Sequence, residues 1–342
     1  MNLYTRPMLG TDPEIFIEDK NGLLPAFQVL SGKDKPIPIG IQYATKCYHD
    51  GFAAEFNTTP TTCIAWQIDA IQSGLAQVLS SAREANKDAK LSARTVVRVN
   101  PSILEEEKEE NIQLGCLPSL NIYDLKAKEI HSRKAILRSS GGHIHFGIIL
   151  NNEEKIKNIV RSLDRVLAVS CVSLFGEFDS PLRREFYGLP GEYRRPQHGI
   201  EYRVLSNAWI FHPLIANMVF DIGRAVFAMG QNTVKEIEEF WKTDDDETIN
   251  CIVNSNIDLA RSILVRNKES YLKILLAAYS GYGEKTYEAM FNFILGGMDK
   301  GLETPDNIEL NWKIPNGWVT HADGDKECMR TSIRYIEAGG RV

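Results

Sequence analysis

Apolar residues in this chain change their period several times, and each change marks an element. Between residues 8 and 60 they come in short β-type runs such as Ile15-Phe16-Ile17, broken by turn residues, with Asn21-Gly22 as a hairpin signal. Residues 48–57 (YHDGFAAEFN) read as one further strand. From residue 63 the period lengthens. Ile64, Ile68, Ile71, Leu75 and Val78 recur at helical spacing and predict a helix over 63–85, with Thr61 and Thr62 as candidate caps. Residues 92–100 return to a strand pattern, and 136–150 (ILRSSGGHIHFGIIL) read as a strand with a glycine interruption. A second helical stripe, including Ile156, Ile159, Leu163, Val166 and Cys171, predicts a helix over 153–175. GIEYRVLSN at 199–207 predicts a short strand before a helix over 212–229. The remainder, 233–340, is mostly helical in period, with breaks near Gly281, Gly296 and Pro305.

Strands that alternate unevenly with helices, several joined by hairpin-like links, predict an α+β fold with a largely antiparallel sheet. No internal repeat is present, which sets the solenoid and propeller arrays aside. At 342 residues the chain can bury a sizeable core, and 43% hydrophobic with 25% charged residues excludes wholesale disorder. The formal charge of −6 lacks the basic footprint of a sequence-independent nucleic-acid binder. Six cysteines without paired zinc-type spacing read as reduced thiols. The N-terminal residues show no secretory leader pattern, and no run approaches the roughly 20 apolar residues of a membrane helix. A soluble, cytoplasmic protein is expected. The acidic run 105–110 reads as a solvated face.

Several strand-like segments carry polar residues two apart, which share a face of a strand. Asp12 and Glu14 form one such pair, His143 and His145 a second, Glu201 and Arg203 a third, while Glu55 stands alone among small neighbours. If these faces line one sheet surface, carboxylates, imidazole and arginine converge, a donor set suited to Mg²⁺ or Mn²⁺. Glycines before and after the two histidines suggest close approach of a ligand or another backbone. Arg183, Arg184, Arg194, Arg195 and Arg203 lie close together in the sequence, and guanidinium groups hold phosphate and carboxylate bidentately. Metal ligands together with arginines suit phosphoryl transfer, and without a Walker-type phosphate loop the nucleotide would be held another way.

GTDPEIF, DGFAAEFN, GGHIHFG, RREFYGLPGEYR and GIEYRVLSN, in that order over roughly residues 8–210, resemble the phage-type carboxylate–amine ligases (amidoligases) of the glutamine synthetase and glutamate–cysteine ligase superfamily. The resemblance implies a curved antiparallel sheet with helices on its outer face and a catalytic funnel on the inner one. A ligase core over 1–230 is expected, and the mostly helical part over 231–342, which the resemblance does not cover, is expected to pack on the same domain. The resemblance also implies metal ligands at Asp12, Glu14, Glu55, His143 and Glu201, and nucleotide or phosphate contacts at His145, Arg183, Arg184 and Arg194. Arg203 would touch the substrate carboxylate or the transferring phosphate, with Glu201 beside it in catalysis. Asp12 stands where the superfamily has glutamate, and Pro13 cannot donate to a sheet ladder. The implied reaction is ATP-dependent amide formation through an acyl phosphate, with Mg²⁺ or Mn²⁺ as cofactor and a carboxylate and an amine as substrates. Glu192 is a candidate base for the amine. If the chain is phage-encoded, the host cytoplasm is its expected place. Alternatives are a metal-dependent hydrolase of amidohydrolase type, which the absence of βα alternation disfavours, and a non-catalytic nucleotide-binding protein.

Overall fold

The first apolar run does not stay in one sheet. The computed structural model describes residues 7–39, 45–112, 119–127, 134–147, 152–232, 241–277 and 284–314. Strand β1 (Met8–Thr11) ends at Asp12-Pro13, and β2 (Glu14–Ile15) begins immediately after, paired elsewhere. The proline supplies no N–H, so neither ladder can continue through it. β3 (Ile17–Asp19) and β4 (Gly22–Leu24) form the expected hairpin, where Gly22 adopts φ +115° and Asp19 Oδ1 accepts the Asn21 N–H at 2.6 Å. After β5 (Ile37–Ile39), the segment expected as one strand over 48–57 is instead two. β6 (Thr45–Asp50) and β7 (Ala53–Asn57) are paired antiparallel about Gly51, whose φ is +59°. That glycine reverses the chain, so Tyr48 stands opposite Glu55. The expected strand over 136–150 is likewise split, into β11 (Leu137–Ser139) and β12 (Ile144–Gly147), with residues 148–150 outside the described set.

Among the described residues all strand pairs are antiparallel and no barrel closes. With β8 (Lys90–Leu91), β9 (Val96–Arg98), β10 (Leu120–Asn121), β13 (Glu192–Arg194) and β14 (Gly199–Tyr202), they make four sheets. The largest runs β1-β12-β14-β13-β10, and a second runs β2-β7-β6-β5. The fold is α+β, as the pattern predicts. The strands that carry Asp12 and Glu14 lie in two different sheets, exchanged at Asp12-Pro13.

One face of the larger sheet is apolar and lies under helices. Leu9, Ile144, Phe146, Ile200 and Tyr202 are fully buried there. Phe146 stacks on Phe227 of α4 (Pro213–Asn232) with ring centroids 4.6 Å apart, and Gly223 lets that helix approach. Each such aromatic contributes about 1.5–3 kcal/mol by burial. Helix α1 (Ile64–Ala85) matches the expected span, but its cap position is Cys63; Thr61 Oγ1 only accepts the Cys63 N–H. The helix expected over 153–175 has a wider interior than the stripe implies. α2 (Glu153–Ser162), capped by Asn152, passes through a π-helical stretch, Leu163–Ala168, into α3 (Val169–Phe175).

Helices α5 (Asp245–Val253), α6 (Ile257–Arg266), α7 (Lys268–Ala277) and α8 (Glu284–Gly296) follow. They pack on α3 and α4, with Ser170 Oγ 3.0 Å from Tyr271 Oη and Ser173 Oγ donating to the Ile294 carbonyl. Further on, Trp312 Nε1 donates to the Ile210 carbonyl, and the Trp312 carbonyl accepts from Gln72 on α1. The expected break at Gly281 lies outside the described residues. The acidic run sits on two short exposed helical turns, Pro101–Glu106 and Glu109–Ile112.

Candidate metal and phosphate site

Sheet register builds the first half of the site. His145 on β12 pairs with Gly10 on β1 and with Glu201 on β14, and Glu201 pairs with Arg194 on β13. Arg194, Glu201, His145 and Gly10 therefore form a row across four strands, on the face opposite Tyr202 and Phe146. Asp12 leaves the end of β1 toward this row. Its Oδ1 lies 3.1 Å from His145 Nε2 and 3.2 Å from His143 Nδ1, while His143 Nδ1 is 3.5 Å from Glu201 Oε1. His143 sits just before β12, and its carbonyl accepts from Thr11 Oγ1 at 2.5 Å, which clamps the two ends of the cluster together. Asp12, His143 and Glu201 each offer a donor atom within 4.8 Å of the others.

The second half lies across the Asp12-Pro13 crossing. Glu14 on β2 stands opposite Glu55 on β7, and Asp50 at the end of β6 completes a carboxylate triad within 4.8 Å. Like charges opposite each other on neighbouring strands destabilise a sheet unless something compensates. Compensation is visible in the partners. Gly141 N–H donates to Glu14 Oε2 at 2.7 Å, Tyr48 Oη to Glu55 Oε1 at 2.5 Å, and Lys33 Nζ is 3.0 Å from Glu55 Oε2 and 3.4 Å from Asp50 Oδ1.

The ionisation of these groups carries the same tension. Burial, followed by the Asp50 and Glu55 charges, pushes Glu14 well above the usual carboxylate range. Burial and Asp12 push Glu55 to about 7, and the same two causes push Glu201 to about 7. Burial lowers His143 to about 4, so it is a neutral imidazole. Asp12 is the exception: burial works against its charge, but His145 and His143 hold it far below the ordinary value, while Asp12 raises His145 against the opposing effect of burial. A half-buried Asp12–His145 ion pair beside carboxyls that resist ionisation is an electrostatic signature of a cation position.

The donor chemistry fits divalent cations. Three carboxylates suit a hard ion such as Mg²⁺, and a carboxylate–imidazole–carboxylate set also accepts Mn²⁺. His143 Nε2 is buried and has no hydrogen-bond partner, which leaves the ring free to serve as a ligand.

The arginines divide. Arg203 is fully buried, donates Nη1 to Glu201 Oε1 at 2.7 Å, lies over the Tyr187 ring, and keeps Nε and Nη2 without partners. Arg194, partly exposed, reaches the same Glu201 oxygen at 2.9 Å. Arg183 and Arg184 take another direction. Both turn to the buried Asp179, Arg184 at 2.5 Å and Arg183 Nε at 3.4 Å, and Arg183 also donates to the Val204 carbonyl. Both guanidinium groups, expected at nucleotide phosphate, share the carboxylate four residues before Arg183. His145, expected at a phosphate, is held between Asp12 and His198, with Nδ1 3.1 Å from His198 Nε2. Glu192 is buried and accepts the Gly188 N–H at 2.9 Å.

Asp50, Lys33, Tyr48 and His198 escape the sequence reading. The first and third were accessible in principle: reading DG at 50–51 as a hairpin turn sets Tyr48 opposite Glu55 and leaves Asp50 at the strand end. Lys33 and His198 arrive on turns, and no periodicity announces them.

Residues 137–280 match the sequence model of a family described as phage phiEco32-like COOH.NH2 ligase, type 2. This segment is similar to that carboxylate–amine ligase family. The matched segment includes His143, His145, the arginines and Glu201; Asp12, Glu14 and Glu55 precede it. It begins later and ends later than the order of sequence motifs implies. A search of curated proteins found no match. Among solved structures, a bifunctional glutathione synthetase from Pasteurella multocida is similar over 86% of this chain and 56% of its own, at 12% identity and TM-score 0.36. The chain thus spans a little over half of that protein. The complex of the prokaryotic ubiquitin-like protein Pup and its ligase PafA is similar over 98% of this chain and 82% of the other, at 11% identity and TM-score 0.41. Likenesses this distant carry no argument about activity. Among the described residues no helix is long and apolar enough to cross a membrane.

Proposed function

We propose that the chain is an ATP-dependent carboxylate–amine ligase whose catalytic core lies within residues 1–230, with 231–342 packed on the same domain. The observation that carries this reading is the meeting of Asp12, His143 and Glu201 beside Glu14, Asp50 and Glu55, with the unpartnered N–H groups of Arg203 next to them. ATP and Mg²⁺, or Mn²⁺, are the proposed cofactors. The substrates are a carboxylate and an amine, and the place of action is the cytoplasm, that of the host if the gene is a phage's.

A carboxylate oxygen of one substrate attacks the γ-phosphorus of ATP, and ADP leaves. The amine nitrogen of the other attacks the resulting acyl phosphate, phosphate leaves and the nitrogen gives up a proton. Divalent cations, when bound, neutralise the phosphate oxygens and draw charge from the transferring group. The chain's own residues do the positioning. Asp12, His143 and Glu201 hold one cation position, and Glu14, Asp50 and Glu55 a second. Arg203, fixed by Glu201 and Tyr187, directs its free N–H groups at the carboxylate or the phosphoryl oxygens, where preorganised donors count for most. Arg194 stands at the more exposed side and can follow a phosphate.

The test is release of ADP and phosphate by the purified protein with Mg²⁺, ATP and panels of carboxylate and amine pairs, with products identified by mass spectrometry. Glu201→Gln lowers turnover by at least about 100-fold, the scale of losing a preorganised electrostatic group. Unchanged turnover in a folded Glu201→Gln protein would remove the assigned site.

A further inference from the structure

The carboxylate triad already holds a positive charge, and it belongs to the protein. Lys33 sits in a tight turn closed by the Lys35 N–H to Gly32 carbonyl bond at 3.0 Å, and Ser31 Oγ donates to the Lys35 carbonyl. The His49 N–H donates to the Ser31 carbonyl, so this turn is fastened to β6, the strand that delivers Asp50. From there the lysine spans the triad. Its Nζ is 3.0 Å from Glu55 Oε2, 3.4 Å from Asp50 Oδ1 and 5.2 Å from the centre of the Tyr48 ring. The Lys33 side chain is 51% exposed and that of Glu55 only 8%, so the ammonium enters from the solvent side and covers buried carboxylates.

A divalent cation at this triad needs the same two carboxylates that Lys33 holds. A divalent cation and an ammonium about 4 Å apart repel strongly at the effective dielectric of a partly buried site, so they do not share it. Once a divalent ion displaces the proton that Glu14 keeps, three carboxylates against one ammonium leave a net attraction for it. The lysine stem is flexible, and on the solvent side a phosphate can receive the displaced ammonium.

We propose that Lys33 is a tethered counter-ion that occupies the Glu14–Asp50–Glu55 position until nucleotide phosphate draws it away, so that cation loading at this position is coupled to nucleotide binding. The inference rests on the proposed ligase reading and extends it to the order in which the site fills.

The experiment counts bound Mn²⁺ by electron paramagnetic resonance in the full chain and in Lys33→Met, with and without the β,γ-imido analogue of ATP. The wild-type chain takes up one ion tightly without nucleotide and a second only with the analogue. Lys33→Met takes up the second ion without the analogue, at least about tenfold more tightly than the wild type does, as expected from removing a competing charge. Equal or weaker uptake of the second ion by Lys33→Met overturns the role of Lys33, as does a wild-type chain that fills both positions alone. No Mn²⁺ bound by either protein overturns the metal reading of the ligase site as well. Melting curves establish that the variant is folded, and Lys33→Gln repeats the count if the Met variant is not.

Discussion

Asp164 offers a stability measurement whose sign and size follow from its surroundings. It lies in the π-helical stretch between α2 and α3, fully buried, and its Oδ1 accepts from Tyr202 Oη at 2.5 Å. Burial pushes its carboxyl from 3.8 to about 7, against the hydrogen bond from Tyr202, and the Asp245 charge adds to the rise. The folded protein thus keeps the proton that the unfolded chain releases near pH 3.8. Stability from this group is fully present below about pH 4 and is lost as pH rises through about 7. At 1.36 kcal/mol per pH unit, the complete loss is on the order of 4 kcal/mol, of which roughly a third has gone by pH 5. Asp164→Asn keeps an acceptor for Tyr202 and has no proton to release. In urea unfolding followed by tryptophan fluorescence, its stability relative to wild type rises by about 2–3 kcal/mol between pH 5 and pH 8. An identical difference at both pH values would refute the reasoning. The outcome bears on the site because Tyr202 lies between Glu201 and Arg203 and is the anchor that keeps both on the opposite face.

Two further outcomes test the frame around the cluster. Asp179→Ala leaves Arg183 and Arg184 buried without their shared carboxylate, and chemical unfolding records a loss of about 3–5 kcal/mol. Gly188→Ala places a methyl 2.0 Å from Arg183 Nη1 at a backbone φ of +75°, and thermal melting shows destabilisation of at least about 1 kcal/mol.

What the sequence revealed, and what it concealed, follows from the range of the interactions. Helix α1 and the strand around Glu201 were legible because periodicity is local: Ile64 to Val78 repeat on one face, and Glu201 and Arg203 alternate with the buried Ile200 and Tyr202. The residue types of the cluster could be named for the same reason. Its division into two triads could not, since that depends on Pro13 ending one ladder and on β2 finding β7 instead of β12. The ion pairs of Arg183 and Arg184 with Asp179 could not be read from the sequence either. A guanidinium group pairs with the nearest buried carboxylate, and only the folded loop brings Asp179 to both. Tyr48 and Asp50 were hidden by one unrecognised reversal at Gly51. Lys33 was hidden because it acts from a turn whose position is set by backbone bonds to a distant strand.

The crossing at Asp12-Pro13 has a mechanical consequence. Two residues of chain extend at most about 7 Å, and this short tether, half of it a stiff pyrrolidine ring, carries one ligand of each triad. Relative sliding of the two sheets therefore cannot spread the two cation positions far apart, since covalent bonds limit the distance between Asp12 and Glu14. A single residue inserted between Asp12 and Glu14 would lengthen that ruler while leaving every donor in the protein.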